Sequence, residues 1–253
     1  MSRFLIVFLI IFSTSAFAQK SDLNAQALVA EEAEFTEREY RIVELSGLVS
    51  LSDQAKVSAQ HMIALSTVKA GGVVDNALVE INHAQHFGIA QNLSVRWAQA
   101  EWEKRLLVII DSLNDSTQKK IEKELSKNIL RAAQKKERAA INNQDKAEYS
   151  LYMNKLKQRP PAASRWKLVR SLDKQSSFSQ LIIKTREQVY KEISSQVKGW
   201  QPPENWKEEA RQEVLEFLFY AYRKTPNSEL KKTANGYNSS ALKSFLAKVK
   251  AEI

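Results

Sequence analysis

Apolar side chains recur along this chain every three or four residues, the spacing that places them on one side of an α-helix. The clearest stretch aligns Phe178, Ile182, Val189, Ile193 and Val197 in this way. No stretch alternates apolar and polar residues as a half-buried strand does, and the six glycines and five prolines fall mostly between the helical stretches. The pattern predicts an all-α fold, either a multi-helix bundle or an array of helical hairpins.

Glycine and asparagine indicate where some of these helices begin and end. A helix over residues 25–46 is expected to stop at Gly47, and a helix over residues 93–113 is followed by Asn114, whose side chain can cap the next helix. The other predicted helices contain these segments: Ser52 to Gly71, Val74 to Phe87, Ile121 to Ala132, Trp166 to Leu172, Phe178 to Val197, Trp206 to Tyr222 and Leu242 to Val249.

Two proline pairs, Pro160 with Pro161 and Pro202 with Pro203, are the strongest helix breaks in the sequence. Proline lacks a backbone donor and disfavours helical geometry in the residue before it. The first pair separates an N-terminal helical region, residues 19–159, from a C-terminal helical region, residues 160–253. The sequence leaves open whether these regions are two domains or one continuous domain.

The chain is similar to itself at an offset of 109 residues. The paired positions are Trp97 with Trp206, Leu106 with Leu215, Ile110 with Phe219, Leu113 with Tyr222, Ser116 with Thr225, and Ile121 with Leu230. In each copy a tryptophan precedes an apolar helix, and a hydroxyl residue is expected to cap the helix that follows. A repeat would give two related helical hairpins around a pseudo-symmetric core; the alternative is chance alignment of two amphipathic helices.

The first 18 residues have the organisation of a cleavable signal peptide. Arg3 is followed by an apolar run from Phe4 to Phe12 and then by small residues that end at Ala18. This run is about half of the roughly 20 apolar residues that a membrane-spanning helix needs. We therefore expect export to the periplasm, cleavage before Gln19, and a mature chain without a transmembrane anchor.

Charge is distributed unevenly in this chain, whose formal net charge is +9. Between Lys119 and Lys174 there are 16 basic and 6 acidic residues. In an exported protein, such a segment suits an anionic envelope surface, a lipid headgroup or a glycan better than nucleic acid. An ordinary solvated surface is the alternative. The glutamates near the N-terminus are expected to form a solvated helix face: Glu31, Glu32, Glu34, Glu37 and Glu39.

One short part of the basic segment combines basic and aromatic side chains. Arg165, Trp166, Lys167 and Arg170 could lie on a lipid surface or against a sugar ring. The alternative is that Trp166 faces the core while the charges extend into water. These four residues are the candidate binding residues of the sequence.

Glu80, His83 and His86 are the candidate metal ligands, because they are spaced so that they could share one side of a helix. His61 could contribute a further ligand from a neighbouring helix. Ordinary surface or boundary histidines are the alternative interpretation. The chain has no cysteine, which excludes thiolate metal sites and cysteine nucleophiles. No cofactor is predicted.

Motifs of known catalytic mechanisms are missing from the sequence. Ser-x-x-Lys occurs seven times, a frequency that reflects the abundance of serine and lysine. The Lys-Thr-Gly and Gly-x-Ser-x-Gly sequences, a glycine-rich phosphate loop and His-Glu-x-x-His do not occur. No catalytic residue is predicted, and the sequence favours a protein that is not an enzyme.

The stretch from Phe217 to Leu230, Phe-Leu-Phe-Tyr-Ala-Tyr-Arg-Lys-Thr-Pro-Asn-Ser-Glu-Leu, resembles the C-terminal helical hairpin of exported bacterial proteins of unknown function. The resemblance covers about residues 206–250. That family often continues into a Ser-Pro-x-Gly type turn, whereas this chain has Asn235-Gly236-Tyr237-Asn238. The resemblance implies a helical fold and an envelope location, and it implies no catalytic residue.

Together these observations predict an exported periplasmic helical protein that binds an envelope protein or an anionic envelope surface without catalysis. Two alternatives remain open at the level of sequence. One is a metal-dependent or hydrolytic envelope enzyme that uses the histidine group. The other is a membrane-surface or glycan-binding module that uses residues 119–174.

Overall fold

The computed structural model describes the backbone of residues 34–67 and 83–253, with side chains for residues 34–59 and 87–253. Within these ranges the regular structure is helical and contains no strand, which confirms the predicted all-α fold. The helices are α1 Glu37–Ser46, α2 Leu51–Thr67, α3 His83–Arg96, α4 Gln99–Asp111, α5 Asp115–Leu125, α6 Asn128–Ile141, α7 Ala147–Gln158, α8 Ala163–Ser176, α9 Phe178–Gln196, α10 Trp206–Ala221, α11 Asn227–Gly236 and α12 Ser240–Glu252, with a 3₁₀ turn at Leu48–Ser50.

Gly47, Asn114 and the two proline pairs lie at helix ends, as the sequence predicted, whereas the helix expected over residues 25–46 is not helical at residues 34–36, because Thr36 caps α1 at Glu37. Gly47 follows α1 in the left-handed region, with φ of 68°, a conformation that glycine adopts without strain. The Asn114 side chain accepts a hydrogen bond of 2.8 Å from the backbone N–H of Thr117 and so caps α5. The two proline pairs lie between α7 and α8 and between α9 and α10.

Two predicted helices are each divided in two. The helix expected over residues 93–113 breaks at Ala98, whose extended backbone, with ψ of 136°, lets Trp97 turn into the core. The helix expected from Ile121 to Ala132 breaks after Leu125. Because Leu125 and Leu130 are five positions apart, a straight helix would direct them to different sides, and the break lets both be buried.

Phe87 and Glu39 also differ from the expected pattern. Phe87, predicted to lie on an apolar face, is 69% exposed. Glu39, predicted to be solvated, is buried. Its side chain closes a capping box with Thr36 and also accepts a 3.0 Å hydrogen bond from the Gln118 side chain. The Gln118 amide also donates to the carbonyl of Ile110, so these contacts connect α1 to the α4–α5 hairpin.

Buried side chains from both predicted regions belong to one hydrophobic cluster. Its densest part is the C-terminal half of α10, where every residue from Phe217 to Ala221, and Tyr222 after it, is buried. Helices α6, α7, α8 and α9 all contact α10. A helix that is apolar on all sides must be covered on all sides, and these four helices cover α10.

The helices repeat with the offset that the sequence indicated. The order α4, α5, α6 recurs as α10, α11, α12, with boundaries shifted by 107 to 112 residues. The packing is reciprocal, because α6 contacts α10 and α11 while α12 contacts α4 and α5. The five apolar pairs of the sequence repeat are all buried. The expected hydroxyl caps are wrong, since Asn114 caps α5 and the N-cap position of α11 is Pro226, which makes no side-chain cap.

Trp97 and Trp102 are fully buried and in contact, with ring centroids 5.4 Å apart. The Trp102 indole N–H donates a 2.8 Å hydrogen bond to the Leu48 carbonyl, which ties the 3₁₀ turn to α4. Within the described residues the Trp97 indole N–H has no hydrogen-bond partner. The two residues therefore form a matched pair that differs in one hydrogen bond.

We expect Trp102→Phe to destabilise the protein by roughly 0.5 to 1.5 kcal/mol more than Trp97→Phe. Both changes remove a similar apolar volume, but only the first removes a buried hydrogen bond, and the Leu48 carbonyl keeps the Leu51 N–H as its other donor. Denaturant unfolding of the two variants measures the difference. Equal losses of stability would show that the hydrogen bond to Leu48 contributes nothing to the fold.

Candidate functional site

A cavity of about 2410 Å³ opens between α1, α2, α6, α7, α9 and α10. Its lining comes from helices on both sides of the Pro160 and Pro161 break. We call it the groove. Ligand pockets for small molecules usually measure about 300 to 1,000 Å³, so the groove is large enough for a bigger occupant.

Apolar side chains form part of the groove surface. Val49, Ile141, Met153 and Phe178 are only partly buried and line the groove, and Tyr40 beside them is 49% exposed. Apolar groups that remain in contact with water in a concave site can gain free energy when a ligand covers them. This surface therefore suits a ligand with an apolar side.

The charged residues of the groove are mostly acidic, in contrast to the chain as a whole. Among the residues whose side chains the structure describes, four basic ones line it: Arg41, Arg138, Lys157 and Arg186. Eleven acidic ones of the same set line it: Glu37, Glu44, Asp53, Glu103, Glu137, Asp145, Glu204, Glu208, Glu209, Glu213 and Glu216. A chain with a formal charge of +9 therefore contains a concave surface with an excess of carboxylates.

Ion pairing removes part of the positive charge from the groove. Arg186 pairs with Glu213, and Arg41 pairs at 3.1 Å with Glu122, which is not part of the groove lining. Nine of the carboxylates make no ion pair within the described part of the chain: Glu37, Glu44, Asp53, Glu103, Glu137, Asp145, Glu204, Glu209 and Glu216. The groove is therefore a region of negative potential that a cation can occupy.

Glu137 is the most perturbed carboxyl group on the groove wall. Its pKa is raised to about 7, because burial disfavours the charged form more than the hydrogen bond from Tyr222 favours it. The Tyr222 hydroxyl donates to Glu137 Oε1 at 2.7 Å. Burial also raises the pKa of Tyr237, which lines the groove, and the nearby Glu137 charge adds to that shift.

The four candidate binding residues lie on α8 and are not part of the groove lining. Arg165 is used within the fold, donating to the Tyr222 carbonyl at 2.6 Å and the Thr225 carbonyl at 2.9 Å after α10. Trp166 packs edge-on against Phe219 at 4.5 Å, and the Arg170 guanidinium lies 5.4 Å from the Trp166 ring centroid.

Lys167 differs from Arg165 and Trp166, because it is exposed. Many other basic residues of the segment 119–174 are exposed on α5 to α8 as well. Some of them have acidic partners, as Lys119 has Asp115 at 2.7 Å.

The candidate metal ligands Glu80, His83 and His86, with His61, have side chains outside the described residues. Among the side chains that are described, no three histidine, aspartate or glutamate residues come together as metal ligands. The metal prediction therefore stays a prediction.

Sequence analysis did not find the groove. A signal was present on α10, where Glu209, Gln212, Glu213 and Glu216 recur at helical spacing and all line the groove. The same spacing is typical of a solvated helix face, so the pattern does not show that these residues border a concavity.

We expect Glu137→Gln to remove a pH dependence from the stability of the protein. Because the pKa of Glu137 is higher in the folded than in the unfolded state, the wild type should lose stability as pH rises from about 4.5 to about 7. The glutamine retains an acceptor for Tyr222 and does not ionise. Thermal unfolding of both proteins from pH 4.5 to 8 measures the difference between them.

The stability of Glu137→Gln relative to wild type should increase with pH across that window. Glu103→Gln is the control, because it changes another groove carboxyl, one that makes no ion pair within the described part of the chain. A relative stability of Glu137→Gln that stays constant with pH would contradict a raised pKa of Glu137.

Comparison of the chain with protein-family models, with curated proteins and with solved structures found no match. The function is therefore argued from the groove and its residues.

Proposed function

We propose that this chain is a non-catalytic binding protein of the bacterial cell envelope and that the groove is its binding site. The observation that carries the proposal is the groove itself, a concavity of about 2410 Å³ with partly exposed apolar residues and unpaired carboxylates. Binding sites are concave and combine apolar surface with a few polar groups that fix orientation. The groove has both properties.

The packing around the groove supports a preformed site. The helices that form its walls also contribute to the common core. Leu181 of α9 and Val214 of α10, for example, are buried in the core and also line the groove. Phe178 and Phe217, which also line it, stack with ring centroids 5.9 Å apart. A site on packed helices does not have to be ordered when the ligand binds, which reduces the entropy cost of binding.

The envelope location is supported by the sequence of Met1 to Ala18 and by the resemblance of about residues 206–250 to exported bacterial proteins. The first segment lies outside the described residues. None of the described helices is long and apolar enough to cross a membrane.

The exposed lysines and arginines of α5 to α8 favour a second candidate function, attachment to an anionic envelope surface. The residues that could make this contact include Lys120, Lys123 and Lys167, which have no ion-pair partner within the described part of the chain. These three lysines do not line the groove, so the two functions are compatible.

A photoreactive amino acid in place of Tyr40 tests the proposed function. Tyr40 is 49% exposed and lines the groove, so the probe should form a discrete covalent adduct with the ligand in intact cells. Val108 is the matched control because it is 53% exposed on α4 and does not line the groove. Gel mobility and mass spectrometry identify adducts at each position.

We expect an adduct at position 40 and none of the same mass at position 108. The same adducts at both positions, or none at position 40, would contradict the groove as the binding site.

A further inference from the structure

The chemistry of the groove points to one class of ligand. We propose that it binds an amphipathic helix of a partner protein, with an apolar side and with lysine or arginine along both flanks. This inference rests on the proposed function and adds the identity of the occupant.

The volume of the groove matches a helical segment. A helix with its side chains is about 10 to 12 Å across and rises 1.5 Å per residue, so a cavity of about 2410 Å³ corresponds to roughly 14 to 20 helical residues. Such a segment is long enough to present an apolar face of several residues. Binding of an amphipathic helix in an apolar groove is a common recognition mode.

The apolar lining supplies the contact for one side of that helix. Ile141 comes from α6 and Met153 from α7. Val49 comes from the 3₁₀ turn after α1, and Phe178 is the first residue of α9. All four are partly buried. Covering them would bury apolar surface on several walls at once, as an inserted helix does.

The carboxylates supply the charge selectivity. Glu37 and Glu44 lie seven residues apart on α1, and Glu209 and Glu216 lie seven residues apart on α10. Seven residues are two helical turns, about 10.5 Å along the axis. A partner helix with basic residues two turns apart on each flank would match both carboxylate pairs.

The charge of the groove also argues against other occupants. Anionic lipids, lipopolysaccharide and acidic peptides would be repelled by carboxylates that have no ion pair in the described part of the chain, such as Glu44 and Glu209. A basic partner would be repelled by the rest of this chain, because the formal net charge of the whole chain is +9 although the groove is acidic. Binding of a basic helix therefore requires the local negative potential of the groove.

A synthetic peptide tests this proposal. The probe is a fluorescent 18-residue peptide of leucine and lysine arranged as an amphipathic helix, a length within the range of roughly 14 to 20 residues given by the groove volume. A matched peptide has glutamate in place of lysine. Fluorescence anisotropy with the purified full chain measures both affinities at low ionic strength and at about 0.15 M salt, where exposed charges are screened beyond about 8 Å.

Two triple variants separate the groove from net charge. Glu37→Gln, Glu44→Gln and Glu209→Gln remove three of the groove carboxylates, whereas Glu34→Gln, Glu101→Gln and Asp111→Asn remove the same charge at exposed positions that do not line it. We expect the groove variant to bind the lysine peptide roughly tenfold more weakly, because it lacks three carboxylates that pair with the peptide. The control variant should bind within about twofold of wild type, because its three changed side chains do not line the groove.

Three results would overturn the proposal. The first is no binding of the lysine peptide at low salt. The second is equal binding of the glutamate peptide, and the third is equal weakening by the two triple variants. Circular dichroism melts confirm that both variants are folded, and the exposure of the six substituted side chains makes this the expected result.

The failure of this inference is distinguishable from that of the proposed function. An adduct at position 40 without binding of the lysine peptide would leave the groove as a binding site and show that its ligand is not a basic helix.

Light scattering gives a further outcome. Self-association at low salt that the groove variant abolishes would identify the exposed basic helices of a second copy as the occupant and overturn the assignment to a partner protein.

Discussion

Burial of the C-terminal half of α10 is the interaction on which the rest of the structure depends. Six consecutive residues, Phe217 to Tyr222, are buried, so this helix has to be covered on every side. Aromatic contacts make up much of the cover: Tyr149 and Tyr152 of α7 pack against Tyr220 at 4.6 and 5.4 Å. The N-terminal half of α10 buries Trp206 and Ala210, but its other side is exposed and carries groove carboxylates. One helix therefore anchors the core and forms a wall of the groove.

The two repeated helix triplets pack reciprocally, and this explains why helices from both halves of the chain form the groove. Helix α6 of the first triplet lies on α10 and α11, and α12 of the second lies on α4 and α5. Each triplet thus buries apolar surface that its own helices do not cover. At the α6 contact the packing is tight enough that a Cβ at Gly236 would lie 2.9 Å from Leu130 Cδ2. This reciprocal packing positions α6 and α10, and both helices line the groove.

The parts of the structure that depend on local chemistry were predictable from the sequence. Gly47, Asn114 and the proline pairs act on the backbone of their own neighbourhood, and the repeat is a property of the apolar pattern. The groove was not predictable, because its residues come from helices throughout the chain, from α1 to α12, and only tertiary packing brings them together. Glu39 and Glu137 show the same limit: both occupy polar positions of helices, yet each accepts a hydrogen bond from a residue about 80 positions away, Gln118 and Tyr222.

A paramagnetic relaxation measurement tests the central claim that the groove is where this protein binds. Met153 and Leu151 lie on the same helix, but Met153 lines the groove, whereas Leu151 is 68% exposed outside it. A nitroxide on the leucine and lysine peptide should broaden the ¹³C-methyl signal of Met153 much more than the signals of Leu151, because electron-induced relaxation falls steeply with distance. The account predicts that order at low salt. Equal broadening at both residues, or stronger broadening at Leu151, would show that the peptide binds elsewhere and would contradict the account.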